Sequence, residues 1–229
     1  MRSGALRQET PNCKTCEGSV GQTRQIVGPV LLWLLVAAII GALIDAPAWS
    51  TDISATVAIT PWTTIGKIVS PIALIALAIM YILMIIRTWK TKEHLSFVRL
   101  IWGAGVTVVL TAVNFVLQQT YGAPRLCHVT QLDGMCPADT SFAYPSSFAV
   151  TAFALAVGLA YSVPWTSYLV FPLAILEAVA SILSGYHYPH DVVAGLALGA
   201  LGGIGALYMF IKFQARTAEK LAKKRATAV

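Results

Sequence analysis

The sequence predicts an all-α bundle of six membrane-spanning helices, and three observations predict it. Charged residues make up only 11% of the 229-residue chain, against 57% hydrophobic residues and a mean hydropathy of +0.71. No soluble core of this size needs so apolar a balance. Six apolar stretches, near 27–44, 66–86, 99–118, 147–163, 166–184 and 192–212, are long enough to cross a hydrocarbon core of roughly 30 Å. Finally, with six crossings Arg24, Arg87, Lys90, Lys92, Arg99 and the C-terminal cluster all fall on one side, while the opposite side has Arg125 as its main cation, with Lys67 at the head of the second span. The positive-inside rule makes the first of these sides the cytoplasm, with both termini in it and the chain in the plasma (inner) membrane.

Residues 1–26 are polar and read as a cytoplasmic tail. The apolar run that follows lacks the short core and cleavage pattern of an export signal and reads as a retained anchor. The fourth and fifth spans are joined only by Ser162, Val163, Pro164 and Trp165, a turn fit for an antiparallel hairpin. The last span carries Gly195, Gly199 and Gly203 at four-residue spacing, a small-residue face for close helix packing. Residues 27–212 form the membrane domain, and 213–229 a basic tail that orients the chain and attracts anionic headgroups. The net charge of +6 is concentrated in Lys212, Arg216, Lys220, Lys223, Lys224 and Arg225, so no nucleic-acid footprint is expected. Trp33, Trp49, Trp62, Trp89, Trp102 and Trp165 fall mostly near span ends, as aromatic belts do.

Three polar islands lie at the non-cytoplasmic span ends: Gln118 to Arg125, Tyr144 to Phe148, and Ser181 to Asp191. The third contains His187-Tyr188-Pro189-His190-Asp191-Val192-Val193-Ala194-Gly195. This string resembles the H-Y-P-x-D-V-x-x-G end of the third motif of the type 2 phosphatidic acid phosphatase family, and the resemblance covers about residues 60–212. The family's motifs run K-x6-R-P, P-S-G-H and S-R-x5-H-x3-D. Here the first reads Gln118 to Arg125 with Leu126 in place of proline, and the second Pro145-Ser146-Ser147-Phe148. The third has Ala180 and Ser181 where the family has serine and arginine. A second K-x6-R match, Lys92 to Arg99, falls on the cytoplasmic side and is set aside.

The resemblance implies that His187 is a nucleophile attacking phosphorus through an imidazole nitrogen, and that Asp191 holds its tautomer from the other nitrogen. It implies substrate contacts from Arg125, Ser146, Ser147 and the lysine-replacing Gln118, with no metal or cofactor. Phe148 cannot protonate a leaving oxygen, help typically worth about 10² to 10⁴ in rate. A pyrophosphate, whose leaving phosphate needs little protonation, tolerates that loss better than a monoester.

Outside the motifs, Glu177 lies within the fifth span on one face with Ser181, where it either fills the vacated arginine position or is a hydrogen-bonded packing residue. His190 is a further candidate beside Asp191. Asn114 and Gln118, four apart, either line the cavity or bond between helices. His94 and His128 have no partnered spacing and read as structural. Cys127 and Cys136 in the external loop are expected to form a disulfide over the site. Cys13 and Cys16 form a C-x2-C without a second ligand pair, so reduced thiols are the default and zinc would need a partner chain.

Two function classes follow. One is a phosphatase or phosphotransferase acting on a membrane lipid phosphate or pyrophosphate at the outer face. Its substrate would be a polyprenyl carrier such as undecaprenyl pyrophosphate, or a phospholipid. The other is a catalytically impaired relative that binds lipid, or docks as a homo-oligomer or on a membrane partner in envelope synthesis. Phe148 and Ser181 favour the second class, and the His187–Asp191 pair the first. A thiol oxidoreductase would rest on Cys13 and Cys16 alone.

Overall fold

The computed structural model describes residues 47–58, 61–129, 136 and 142–227, with 35, 36, 39, 40, 42, 43 and 45. All regular structure among them is helical: α1 (Ala48–Ala58), α2 (Trp62–Lys90), α3 (His94–Tyr121), α4 (Ser147–Ser162), α5 (Ser167–Leu183), α6 (Pro189–Leu196) and α7 (Gly202–Thr227). A single turn at Leu126–Val129 follows α3. A π-helical stretch, Ala197–Leu201, joins α6 to α7, so the two run as one helix. Cys13 and Cys16 lie outside the described residues.

Four described helices are long and apolar enough to cross a membrane: α2, α3 with its following turn, α5 with its preceding one, and the helix starting at Pro189. α4, also apolar, has 16 residues, which at 1.5 Å per residue reaches about 24 Å and is short for a full crossing. Of the six expected spans, the described residues thus contain four as long apolar helices and a fifth as the shorter apolar α4. The first expected span, 27–44, falls largely outside the described residues, but its Val36 and Ile40 pack against Leu110, Tyr144, Val150, Ala194 and Leu198.

The helices are hydrophobic outside and small or polar inside, as a bundle in lipid must be. On α2, Ile65, Ile68, Ile72, Ile75, Ile79 and Ile82 are exposed while Gly66, Ser70, Ala73, Leu77 and Tyr81 are buried at helical spacing. With hydrocarbon on the outside, burying leucine gains little, and association depends on close backbone approach and interhelical hydrogen bonds. Both are present. A Cβ on Gly199 would stand 2.4 Å from the Val150 carbonyl oxygen, and one on Gly195 2.6 Å from that of Ser146. The Gly195, Gly199 and Gly203 face thus seats the last helix on α4, as its spacing predicts. Tyr81 donates to the Leu100 carbonyl at 2.7 Å across the α2–α3 interface.

α1 was not expected from the sequence; its Ser50 and Ser54 are buried although its segment is too short and polar to signal a span. The Ser162–Trp165 connection is the expected hairpin, tightened by a 3-10 turn at Pro164–Thr166. Gly66, Arg125, Ser146 and the Ser184–Asp191 loop share one end of the bundle. Arg87 over Trp165 and Arg99 over Tyr161 mark the other.

Candidate active site

Three chain segments meet at the first of these ends. Gly122, at φ +61°, caps α3 in the left-handed conformation that glycine adopts without strain. The turn sends Ala123 back so that its carbonyl accepts the Ala143 N–H at 2.9 Å. Ala143's own carbonyl then accepts from Nδ1 of His187 at 3.1 Å. Arg125, two residues on from Ala123, lies with Nη1 3.2 Å from His187 Nε2. A guanidinium only donates and a carbonyl only accepts, so both neighbours select the same tautomer: the proton on Nδ1, the lone pair on Nε2. The nitrogen with nucleophilic character thus faces the cation.

Asp191 holds the other flank. At the third position of α6 its Oδ2 accepts the Tyr188 N–H at 2.8 Å, and the helix N-terminus favours its negative charge. Oδ2 is 3.7 Å from His187 Nδ1, within ion-pair range but beyond a hydrogen bond. The expected carboxylate partner on that nitrogen is therefore second in distance to the Ala143 carbonyl, which no motif signals. His190 Nε2 approaches Asp191 Oδ1 at 3.2 Å, off the direction of an aligned hydrogen bond. Ser50 of α1 accepts the His190 amide at 3.2 Å and lies 2.8 Å from Nδ1. The other ring nitrogen, Nε2, is the one that faces Asp191. Ser50, His190, Asp191 and His187 form a buried chain, none more than 3% exposed.

The second motif sits opposite. The Tyr144–Pro145 bond is cis. Ser146 caps α4, its N–H donates to the Asp191 carbonyl at 3.0 Å, and its buried hydroxyl has no hydrogen-bond partner among the described residues. The first amides of α4 lack intrahelical acceptors, as at any helix start, and this end of the helix faces the same region. Gln118 donates from Nε2 to the Pro145 carbonyl at 2.8 Å and accepts from Ser147 at 3.2 Å. Asn114 adds 3.2 Å to the same carbonyl and 3.0 Å to Ser147. Both amides therefore bond between helices.

Glu177 and Ser181 are both buried on α5. Ser70 of α2 donates to Glu177 Oε1 at 3.1 Å, while Glu177 Oε2 and Ser181 Oγ have no hydrogen-bond partner among the described residues. Glu177 is thus tied to α2. Burial raises the phenols of Tyr144, Tyr186 and Tyr188 above their ordinary range; Arg125 pulls Tyr186 back and Asp191 pushes the other two further. Cys127 and Cys136 are joined as a disulfide with Cα atoms 6.0 Å apart. It staples the segment directly after Arg125, and His128 Nε2 lies 3.5 Å from the Cys136 sulfur. Bonded to each other, the sulfurs are not thiolate ligands, so this His–Cys–Cys cluster is a covalent brace.

A family model described as the PAP2 superfamily matches residues 98–215. The decaprenylphosphoryl-5-phosphoribose phosphatase of Mycobacterium tuberculosis, from strains CDC 1551 and H37Rv alike, is 42% identical over 67 residues. That stretch is 29% of this chain and spans about a third, 36%, of those relatives. Among solved structures, the first transmembrane PAP2 type phosphatidylglycerolphosphate phosphatase from Bacillus subtilis superposes with a TM-score of 0.61 at 18% identity. It covers 80% of this chain and 96% of that one.

Proposed function

Because the chain belongs to the PAP2 superfamily and has the helical fold of its membrane phosphatases, we propose that it removes phosphate from a membrane lipid phosphate through a His187 phosphoenzyme. The observation that carries this reading is the agreement of two independent neighbours on the His187 tautomer. Arg125 and the Ala143 carbonyl together leave the Nε2 lone pair open toward the cation that an incoming phosphate would meet.

In the first step Nε2 attacks phosphorus, an N–P bond forms and the P–O bond to the leaving group breaks. Arg125 shifts from Nε2 to the phosphoryl oxygens, joined by the Ser146 hydroxyl and the first amides of α4. Positive charge developing on the imidazole is balanced by Asp191, which Tyr188 and His190 hold in place. In the second step water attacks the phosphohistidine, releases orthophosphate and restores neutral His187. With Phe148 where an acid would stand, leaving groups that depart as stable anions are favoured. A polyprenyl diphosphate, whose leaving group is a lipid phosphate, meets that requirement better than an alkyl monoester, and the decaprenyl substrate in the name of the mycobacterial relative lends support to a polyprenyl carrier. The site faces the non-cytoplasmic side on the charge argument, with Arg87 and Arg99 at the far end of the bundle.

A second reading has its own observation. Gln118 and Asn114 both spend their donors on Pro145, as expected of a pocket that retains shape more than catalytic equipment. It would make the chain a lipid-binding or scaffold subunit. One experiment separates the two: phosphate release in detergent micelles from polyprenyl diphosphate, polyprenyl phosphate and phosphatidic acid, native against His187→Ala. We expect release on at least one lipid, lowered by at least about 10³ in the variant. Equal traces from both proteins on every lipid would leave the binding reading alone.

A further inference from the structure

The site is short of cations by the standard of the motifs it resembles. Position 181 on α5 carries Ser181, buried with its hydroxyl unpartnered among the described residues, so α5 brings no positive charge to the phosphate. A different helix arrives at the same place. A Cβ on Gly66 of α2 would stand 2.4 Å from the Ser184 nitrogen and 2.7 Å from the Ala180 carbonyl oxygen, so the α2 backbone is pressed onto the end of α5. The next residue is Lys67. Its half-buried side chain places Nζ 5.7 Å from the ring centroid of Tyr186, the residue immediately before His187. Arg125 also bears on the Tyr186 hydroxyl while its Nη1 touches His187 Nε2. No carboxylate among the described residues pairs with Lys67, and Asp191 is turned toward the two histidines.

We propose that Lys67 is a second anion-binding residue of this site, placed beside Arg125 through Tyr186 and suited to a substrate that carries two phosphoryl groups. The inference rests on the lipid-phosphate reading above and narrows its substrate class. Arg125, rigid and forked, holds the phosphoryl group under attack by His187. Lys67, a point charge on a flexible stem, meets the second group, whether directly bonded as in a diphosphate or set further off across a sugar. Stacked against the Tyr186 ring, the lysine is partly pre-ordered, which reduces the entropy lost when an anion binds.

Equilibrium binding tests this without turnover. The full chain bearing His187→Ala, in detergent micelles, is titrated calorimetrically with inorganic pyrophosphate and with inorganic orthophosphate. Adding Lys67→Gln should weaken pyrophosphate binding roughly tenfold, the scale of one charge-assisted contact, and leave orthophosphate within about twofold. Lys67→Arg should restore most of the pyrophosphate affinity, and unchanged thermal unfolding in both would exclude a folding defect. Equal weakening of both anions, no weakening of either, or no pyrophosphate binding at millimolar concentration would overturn the proposal. The two readings fail separately. A chain that binds pyrophosphate through Lys67 yet releases no phosphate from any lipid keeps this inference and loses the hydrolase.

Discussion

The two walls of the site treat their polar residues in opposite ways. On the wall built from the Ala143 carbonyl, Arg125 and α6, each polar group prepares His187: one neighbour fixes its proton, another faces its lone pair, and Asp191 supplies charge behind it. On the wall built from α3 and α4, Gln118, Asn114 and Ser147 are turned on one another and on the Pro145 carbonyl. They hold a turn in place. The contrast teaches that motif matching scores residue types, whereas chemistry depends on where their donors go. A glutamine in a lysine's position keeps the amide's hydrogen-bonding power while losing the charge and the reach.

The comparison breaks most sharply at Asp191. Asp191→Asn keeps the shape but removes the charge that faces both histidines. We expect lipid phosphate release to fall by about 10² to 10⁴. A fall below fivefold would mean that the Ala143 carbonyl alone orients His187. A gain should come from the opposite wall. Phe148→His returns an acid to the helix start beside Ser147. Hydrolysis of an alkyl monoester such as phosphatidic acid should rise by about tenfold or more, with little change for a diphosphate. Equal gains on both would show that leaving-group protonation is not what this wall lacks. The smallest effect should come from Gln118→Ala. With Asn114 still on the Pro145 carbonyl, it should cost about 0.5–2 kcal/mol of stability in denaturant unfolding and leave kcat nearly unchanged. A large loss of kcat with intact stability would reassign Gln118 to the substrate.

What was legible in the sequence was local. His187 and Asp191 are four apart at a helix start, and so are the glycines that seat the last helix on α4; such spacings translate directly into shared faces. Long apolar runs gave the helices, although α4 stops short of a crossing length because Pro164 and the 3-10 turn end it. Illegible were contacts between segments far apart that carry no periodic signal. Ser50 sits in a polar stretch resembling a loop, yet it closes on His190; Lys67 looked like an ordinary span-end cation. The Ala143 carbonyl has no side-chain signature at all. Glu177 could be read as cavity or packing, and it was the position of Ser70 on another helix that decided where one of its oxygens bonds.

The link between Ser50 and His190 also bears on how the protein is made. Their 140-residue separation means that at ordinary synthesis rates Ser50 leaves the ribosome on the order of ten seconds before its partner. In that interval the early helices can enter the bilayer and pair. The histidine and aspartate that define the site, however, emerge only at the head of the last helix, and they are locked when α1 meets them. A chain stopped before Pro189 therefore keeps His187 but lacks the Asp191 carboxylate that faces it and the His190 that Ser50 meets, so the candidate site is assembled only once this helix has been made.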